Sequence, residues 1–568
     1  MKNKDWFVAD FETTGKNYYD KYGCTKVWLF AICDSNANVV KIGETIDEFF
    51  EWCRENYGCV IYFHNLKFDG SFILNYLLSH DYEYKDVLKA NDNKGFTTLI
   101  GNEGQYYQIK FNFCRKRQIT ICDSLKLMPI KVEELCKQFE LPIEKGHIDY
   151  QNYTIDEETK EYVSIDVRAV AMGLKFFKDL GYNKLTIGSN AYHDYKDTML
   201  GFDNLFPRLD DEFLLTWRKA YRGGRTQVNP IHQNKIIHNV YRFDYNSMYP
   251  SIMAYDELPY GKPIKIDTIG QYKFELYRLN IQFKLKEGHI PSLLKSGSLY
   301  DRGSETYYIT SEGIIDLYIT SIDYQLLLKH YDVQYYEFKE MYGFKTSTKL
   351  FRNWVLEKYK LKQESTGGIK MVHKFVLNNL YGKFGSKLIG RKKIPTLDEK
   401  GTLEFTLGNE EELQAYYLVM AMAITSYGHL RIDVKIDEVG VKNFIYCDTD
   451  SVHTLVPIIK DVDNKELGKM KFEGKESISK YVRQKCYIYK QDNEWTITCA
   501  GLVPRSKQYL IRQYGDDVIK HFKVGLTIDE HSPNITDDDM KLRPVQVKGG
   551  ILLVKTKFSL LWRNQNIC

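Results

Sequence analysis

The sequence predicts a multidomain α/β protein, and three observations carry that expectation. The chain has 568 residues, more than a single hydrophobic core accommodates, so two to four domains are expected. Short runs of β-formers alternate with segments of helical period. Isolated aspartates fall where the β runs stop, the position at which sites form in α/β sheets.

Composition is that of a soluble, globular chain, with 43% hydrophobic and 27% charged residues. A formal net charge of +4 is too small to identify nucleic acid as a partner by charge alone, although a balanced total can hide a basic groove. Tyrosines number 44, so many are expected at surfaces or grooves, where the amphipathic ring stacks or hydrogen-bonds. Eleven cysteines without a C-x-x-C pair suit a reducing cytosol better than secretion. Residues 1–14 lack a signal-peptide core. The longest apolar stretch, 415–424, is too short to span a bilayer and reads as a buried helix, so no membrane association is expected.

In the N-terminal third, Trp6 to Thr14 reads as a strand carrying Asp10 and Glu12 on one face, closed by Gly15. Val60 to Asn65 is a second strand, and Phe72 to Leu78 a helix. Asp69 precedes that helix, either as its N-cap or as a ligand. Residues 156–174 have helical period, with Tyr162 and Asp166 sharing a face that is either solvated or functional. Asp10, Glu12, Asp69 and Asp166 together suit two divalent cations about 3.5–4 Å apart, which activate a water and stabilise the leaving oxygen of a phosphodiester. Tyr162 would orient that water.

Farther on, Tyr221-Arg222-Gly223-Gly224-Arg225 is a basic loop after an aromatic. A plain turn explains it; alternatively its glycines permit close backbone approach and its arginines favour phosphate. Val240 to Ile252 reads as a strand ending at Asp244, then a turn into a helix begun near Pro250. Residues 369–381 form the clearest helix. Lys370, Lys374 and Asn378 follow at intervals of four with Tyr381 after them, on a side mostly apart from Val372, Phe375, Val376 and Leu380. A solvated basic face explains such a row; alternatively, since lysines so spaced repel one another and a tyrosine ends the row, phosphates lie along it with a base or sugar at its foot. Lys362, beyond Gly367-Gly368, would reach the same groove. Phe444–Cys447 and Val452–Val456 read as strands joined by Asp448-Thr449-Asp450. On an extended backbone the two acids point the same way. They repel unless protonated or bridged by a cation. Alone they are explained as a surface turn; with Asp244 they would complete a second metal-binding set.

These segments carry a resemblance. Asp10-Phe11-Glu12-Thr13-Thr14, Asn65-x3-Asp69 and Tyr162-x3-Asp166 resemble, in order, the three motifs of DEDD-type 3′–5′ proofreading exonucleases. Asp244-x2-Ser247-x-Tyr249-Pro250, Lys374-x3-Asn378-x2-Tyr381-Gly382 and Tyr446-x-Asp448-Thr449-Asp450-Ser451 resemble motifs A, B and C of family B DNA polymerases. Asp123-Ser124-Leu125, Lys145-Gly146-x-Ile148-Asp149-Tyr150 and Lys485-x-Tyr487 resemble elements of the protein-primed subgroup, encoded by small phages with linear genomes.

The resemblance implies a ribonuclease H-like exonuclease domain over 1–185 and a right-hand polymerase. Its palm would comprise 186–256 and 415–500, its fingers 350–386, and residues 501–568 a small β thumb with a tail. The subgroup insertions would be 257–349, gripping a priming protein and DNA, and 387–414, a β-hairpin for strand displacement. Implied too is a DNA-directed DNA polymerase with 3′–5′ exonuclease activity. It would replicate a linear viral genome by protein-primed, strand-displacing synthesis in the cytoplasm of an infected bacterium. Its partners would be primer-template and single-stranded DNA, dNTPs and a terminal protein, the chain being otherwise monomeric.

By the same resemblance, Asp244 and Asp450 bind two Mg²⁺ ions (Mn²⁺ able to substitute) with Asp448 in support, and Asp10, Glu12, Asp69 and Asp166 bind the exonuclease pair. Lys145 would be an auxiliary catalyst. Lys362, Lys370, Lys374, Asn378, Tyr249 and Tyr381 would receive the nucleotide, with the Tyr249 ring excluding a ribose 2′-hydroxyl. Thr13, His64, Asn65, Phe68, Ser124, Leu125 and Tyr150 would hold the single strand, Phe68 by stacking. Tyr221, Gly223, Gly224 and Ser247 would contact DNA at the polymerase site, and Lys485 and Tyr487 the primer terminus. Two rivals are a nuclease with an inactive polymerase half and a non-enzymatic DNA-binding replication protein. Intact Asp244, Lys374 and Asp450 argue against the first. Two acid sets, which repel phosphate when metal-free, argue against the second.

Overall fold

The computed structural model describes residues 5–138, 152–295 and 306–561. The N-terminal region is built on an eight-stranded mixed sheet. At its centre Trp6–Thr13 runs antiparallel to Val27–Asp34 and parallel to Val60–Phe63, with Gln118–Asp123 parallel beyond. Val27–Asp34 is buried along nearly its whole length, which is why it reads as a continuous apolar run rather than an alternating one. Helix Ile46–Glu55 turns Phe49, Phe50 and Cys53 inward. The rings of Phe11, Phe30, Phe49 and Phe63 meet edge to face there, the geometry their quadrupoles favour. Helix Glu157–Asp179 packs against the two central strands.

The second half is organised by a seven-stranded sheet. Its order runs from Glu494–Cys499 through Cys486–Gln491, Met470–Arg483, Ile236–Tyr245, Ser451–Thr454 and Phe444–Asp448 to Thr226–Val228. Asp244 pairs with Ser451, and Ser451 pairs with Asp448. The topology thus places an acid from one part of the chain beside a hairpin made much later. Behind the sheet lies the helix Leu418–Val439, buried over most of its length. The apolar stretch expected as a buried helix is its first part, with residues 415–417 preceding it.

Residues 257–349 supply a four-stranded sheet and the helix Ser321–His330. One side has its own core, including Tyr277, Leu279, Leu327 and Tyr331. Phe274, Leu276, Tyr318, Ile322 and Phe344 instead join the main core, so this segment is keyed into the rest of the chain. Helices Arg352–Glu364 and Gly367–Phe384 follow, then the hairpin of Ile389–Leu397 and Leu403–Glu412.

The C-terminal region, expected as a small β thumb with a tail, holds helix as well as strand. Pro504, in the favoured first-turn position, opens the helix Pro504–Tyr514. Tyr509 and Leu510 from it enter a core with Ile488 and Phe522. Only afterwards comes the hairpin Lys541–Val547 and Gly550–Thr556. Its turn is seated on the N-terminal domain. Thr25 N–H donates to the Lys548 carbonyl at 2.9 Å. A Cβ on Gly549 would stand 2.0 Å from the Thr25 carbonyl oxygen, and one on Gly550 2.4 Å from the Phe72 ring, so only glycines permit this approach. The amide of Gln546 donates to Ser71 Oγ at 3.1 Å. From the other hairpin the Gly401 carbonyl accepts from Asn75 at 3.0 Å, so both hairpins land on helix Asp69–Ser79.

Candidate active sites

Asp10 and Glu12 stand on the central strand of the first sheet. Asp69 is the first residue of its helix, and the cap position belongs to Phe68, so the N-cap reading of Asp69 is corrected. Its carboxylate is 3% exposed and faces the Phe11 N–H of the central strand. Oδ1 has no hydrogen-bond partner among the described residues. Burial, and then the charges of Glu12 and Asp123, push this carboxyl up to about 8, outweighing the backbone N–H groups that favour the anion. Tyr162 and Asp166 are half-buried on helix Glu157–Asp179, and the charge of Asp166 is felt by His64.

His64 Nε2 lies 2.7 Å from the Ile130 carbonyl and Nδ1 3.0 Å from Ser124 Oγ. Ser124 is fully buried and also bonds the Phe63 carbonyl. Asn65 is exposed in a left-handed conformation, φ +76. Its N–H donates to Asp123 at 3.1 Å, and Leu125 N–H to the same oxygen at 3.0 Å. Asp123, to which the motif reading gave no role, therefore pins two of the segments thought to hold single-stranded DNA. Phe68 and Thr13 are half-buried nearby in sequence and sheet. Lys145 and Tyr150 lie outside the described residues.

In the second sheet the strand Ile236–Tyr245 continues one residue past Asp244. Tyr245 N–H donates to the Asp450 carbonyl at 2.9 Å, and Asp450 N–H to the Asp448 carbonyl at 2.8 Å. Thr449 between them is left-handed, φ +64. A tight turn, not an extended backbone, presents the two acids, and they face different partners. Both oxygens of Asp448 are taken: Lys485 Nζ sits 2.9 and 2.8 Å away, Thr226 Oγ1 donates at 2.9 Å and Tyr446 OH at 3.3 Å. Asp450 is pushed up to about 6 by burial and by the charge of Asp448, against its own backbone N–H and Lys485. Asp244 is pushed up to about 7 by burial and the charges of Asp450 and Glu473, with Lys471 opposing. Glu473, salt-bridged to Lys471 at 2.6 Å, has no local signal in the sequence. Asp244, Asp448, Asp450, Glu473, Lys485 and Tyr487 line a cleft of about 530 Å³.

No three His, Cys, Asp or Glu side chains close into a ready-made metal cage among the described residues. The fit to a hard divalent cation rests on the donor chemistry. Crowded carboxylates raise one another's pKa values in both sites, and a buried oxygen of Asp69 is unsatisfied; a cation relieves both.

Opposite the cleft, Lys370, Lys374 and Asn378 form one exposed row on helix Gly367–Phe384, while Val372, Val376 and Leu380 are buried. Lys362 joins them from the preceding helix, its Nζ donating to Ser247 Oγ at 3.2 Å. Burial, then the charges of Lys374 and Lys370, lowers its pKa. Such a concentration of ammonium groups suits a polyanion. At the foot of the row the Tyr249 and Tyr381 rings lie 4.2 Å apart. Tyr487 stacks on Tyr481 at 5.2 Å, beside Lys485.

The arginines of the 221–225 loop do not face phosphate, correcting that reading. Arg222 and Arg225 are 4% and 1% exposed. Arg222 donates to the carbonyls of Leu294, Ala220 and Tyr318 at 2.8, 3.1 and 2.9 Å, and Arg225 to Asp433 at 3.2 Å. Of the two glycines, Gly224 approaches protein. A Cβ on Gly224 would stand 2.7 Å from Thr449 Oγ1 and 3.0 Å from Tyr249 OH. Gly223 is exposed, and the Tyr221 ring packs against Gly385.

A sheet with three clustered aspartates facing a lysine-lined helix pair, beside a second sheet with its own acids, is the layout of a nucleotide-polymerising enzyme joined to a nuclease-like domain. The chain belongs to the family DNA polymerase type B, organellar and viral, whose model matches residues 51–153 and 151–464. The DNA polymerase of Bacillus phage Nf is 34% identical over 586 residues, covering 98% of this chain and 100% of the relative. That of Bacillus phage phi29 is 34% identical over 597 residues, covering 98% of each. Among solved structures, Phi29 DNA polymerase in an orthorhombic crystal form superposes with a TM-score of 0.88 at 31% identity, over 98% of this chain and 100% of that one. Its complex with primer-template DNA and incoming nucleotide substrates gives 0.86 at 32% identity, with the same coverage.

Proposed function

We propose that this DNA polymerase carries a 3′–5′ exonuclease and starts synthesis on a terminal protein, displacing the non-template strand of a linear phage genome in the host cytoplasm. The observation that carries the polymerase assignment is the pairing of Asp244 with the Asp448–Ser451 hairpin, opposite the Lys362, Lys370 and Lys374 ammonium groups. The primer 3′-oxygen attacks the α-phosphorus of a dNTP and pyrophosphate leaves, so the protein's task is positioning and charge stabilisation.

Asp244 and Asp450 would hold Mg²⁺, with Mn²⁺ able to substitute and Asp448 in support. When bound, the cation neutralises charge at the reacting phosphate and favours the attacking alkoxide. Lys370 and Lys374 neutralise the triphosphate. Asn378, Tyr249 and Tyr381 pack the nucleotide, the Tyr249 ring rejecting a 2′-hydroxyl. Lys485 and Tyr487 hold the primer end. In the other domain Asp10, Glu12, Asp69 and Asp166 would hold the exonuclease cations, with Tyr162 orienting the attacking water. Solved complexes of the phi29 enzyme with primer-template DNA and with single-stranded DNA support both kinds of nucleic-acid partner.

Incubation with the candidate terminal protein, labelled dATP and Mg²⁺ should label that protein covalently. An enzyme active on DNA primers that labels it with no dNTP would sink the protein-priming part.

A further inference from the structure

Beneath the Asp448–Asp450 turn lies a buried histidine–aspartate pair that no motif includes. His429, on helix Leu418–Val439, places Nδ1 2.8 Å from Asp323 Oδ1 and Nε2 2.6 Å from the Gly223 carbonyl oxygen. The two side chains are 1% and 4% exposed. A carbonyl oxygen only accepts, so Nε2 carries a hydrogen and donates it. Asp323 also accepts from Ser426 Oγ at 2.8 Å and Thr320 Oγ1 at 3.3 Å. Although burial opposes ionisation, the charge and hydrogen bond of His429, the charge of Arg222 and the Ser426 hydroxyl hold its carboxyl below the ordinary range. A buried, multiply bonded carboxylate fixes the ring, and the ring fixes one backbone carbonyl.

That carbonyl belongs to the loop on which the polymerase cleft rests. Thr449 N–H donates to the Arg225 carbonyl at 2.7 Å. Gly224 abuts both Thr449 and the Tyr249 hydroxyl, and the Thr226 hydroxyl holds Asp448 at 2.9 Å. At the far end Arg225 is tied to Asp433, which also bonds His330 at 2.9 Å. Asp323 and His330 both come from the helix Ser321–His330. One helix of the 257–349 insertion thus braces the loop at two points.

We propose that Asp323 and His429 are positioning residues for nucleotide addition. Through the Gly223 carbonyl they set the Gly223–Thr226 loop, and with it the seat of Tyr249 and the Asp448–Asp450 turn. This rests on the reading of Asp450 and Tyr249 given above. It assigns to the insertion a share of the active-site geometry and of sugar discrimination, in addition to any role in partner binding.

The test compares His429→Asn with His429→Gln in single-nucleotide insertion using dNTP and rNTP. An asparagine amide reaches the Asp323 side only, whereas a glutamine amide reaches the Gly223 carbonyl. His429→Asn should lower kcat for dNTP insertion about 10- to 100-fold, the scale of a displaced positioning group, and raise relative ribonucleotide insertion several-fold. Single-strand digestion and the thermal midpoint should stay near wild type, and His429→Gln should recover most of the lost kcat. Wild-type kcat and sugar discrimination in a folded His429→Asn enzyme would overturn the proposal. So would a glutamine variant no better than asparagine, or a parallel loss of digestion, synthesis and melting temperature. Should His429→Asn not fold, Asp323→Asn takes its place, with a fall in kcat expected and a wild-type kcat overturning the idea. A wild-type enzyme without template-directed insertion would instead indict the underlying functional reading.

Discussion

Lys485 grips Asp448 by both carboxylate oxygens, at 2.9 and 2.8 Å, from a backbone held at φ +52. That pairing separates the three aspartates of the cleft. Asp448 is committed to protein partners, whereas Asp244 feels the charge of Asp450, and Asp450 that of Asp448. Lys485→Ala should release Asp448 and weaken primer-terminus binding together. Extension of an annealed primer is expected to fall about 10- to 100-fold, as for a misplaced catalytic group. Digestion of single-stranded DNA should be unchanged, and an equal fall in both activities would contradict the division.

Asp450→Ala removes an acid proposed as a direct cation ligand. Nucleotide addition should drop by about three orders of magnitude or more, the scale of lost transition-state charge stabilisation, while digestion persists. Asp10→Ala with Glu12→Ala should do the reverse. Paired assays on one preparation of each variant decide whether the two acid sets work separately.

The raised carboxyls make a pH prediction with a definite sign. Asp450 and Asp244, pushed up to about 6 and about 7, keep protons in the cation-free folded state that the unfolded chain releases near pH 3.9. Their stabilising contribution is complete below that unfolded value and is lost as pH rises through 6 and 7. A divalent cation competes with those protons, so its own stabilisation should grow over the same window. The rise in thermal midpoint caused by Mg²⁺ over EDTA should be larger at pH 8 than at pH 5.5. Equal rises would show that these carboxyls do not bind it.

Gly224→Ala places a methyl 2.7 Å from Thr449 Oγ1 and 3.0 Å from Tyr249 OH. Those neighbours are side chains that can shift, so stability should fall by only about 1–3 kcal/mol, but synthesis should suffer far more than digestion. Melting curves and the two activity assays, measured side by side, check this.

The lysine row was legible because helical period is local: Lys370, Lys374 and Asn378 share a face whatever surrounds them. Acids at strand ends were legible for the same reason. Arg222 and Arg225 were misread because their acceptors, Leu294, Tyr318 and Asp433, are remote in sequence, and a spacing cannot announce a burial. Thr226 and Glu473 went unseen since each reaches an aspartate through sheet pairing, Thr226 opposite Asp448 and Glu473 from the strand beside Asp244. Asp69 as cap or first helical residue differs by one position, finer than composition resolves. Helix Pro504–Tyr514 did leave a trace, Pro504 followed by inward Tyr509 and Leu510.

The hairpin turn at Gly549–Gly550 has a consequence for how the protein is born. Gln546 meets Ser71 across 475 residues of chain. At roughly 5–20 residues per second, a ribosome takes on the order of half a minute or longer to make that span. For most of that interval, once the nuclease-like domain has been made and has left the exit tunnel, the hairpin that abuts Phe72 on its Asp69-bearing helix is still to come. A nascent chain stalled short of the hairpin therefore displays a greasy patch to chaperones and to its neighbours, and the earliest-made domain is the last to be finished.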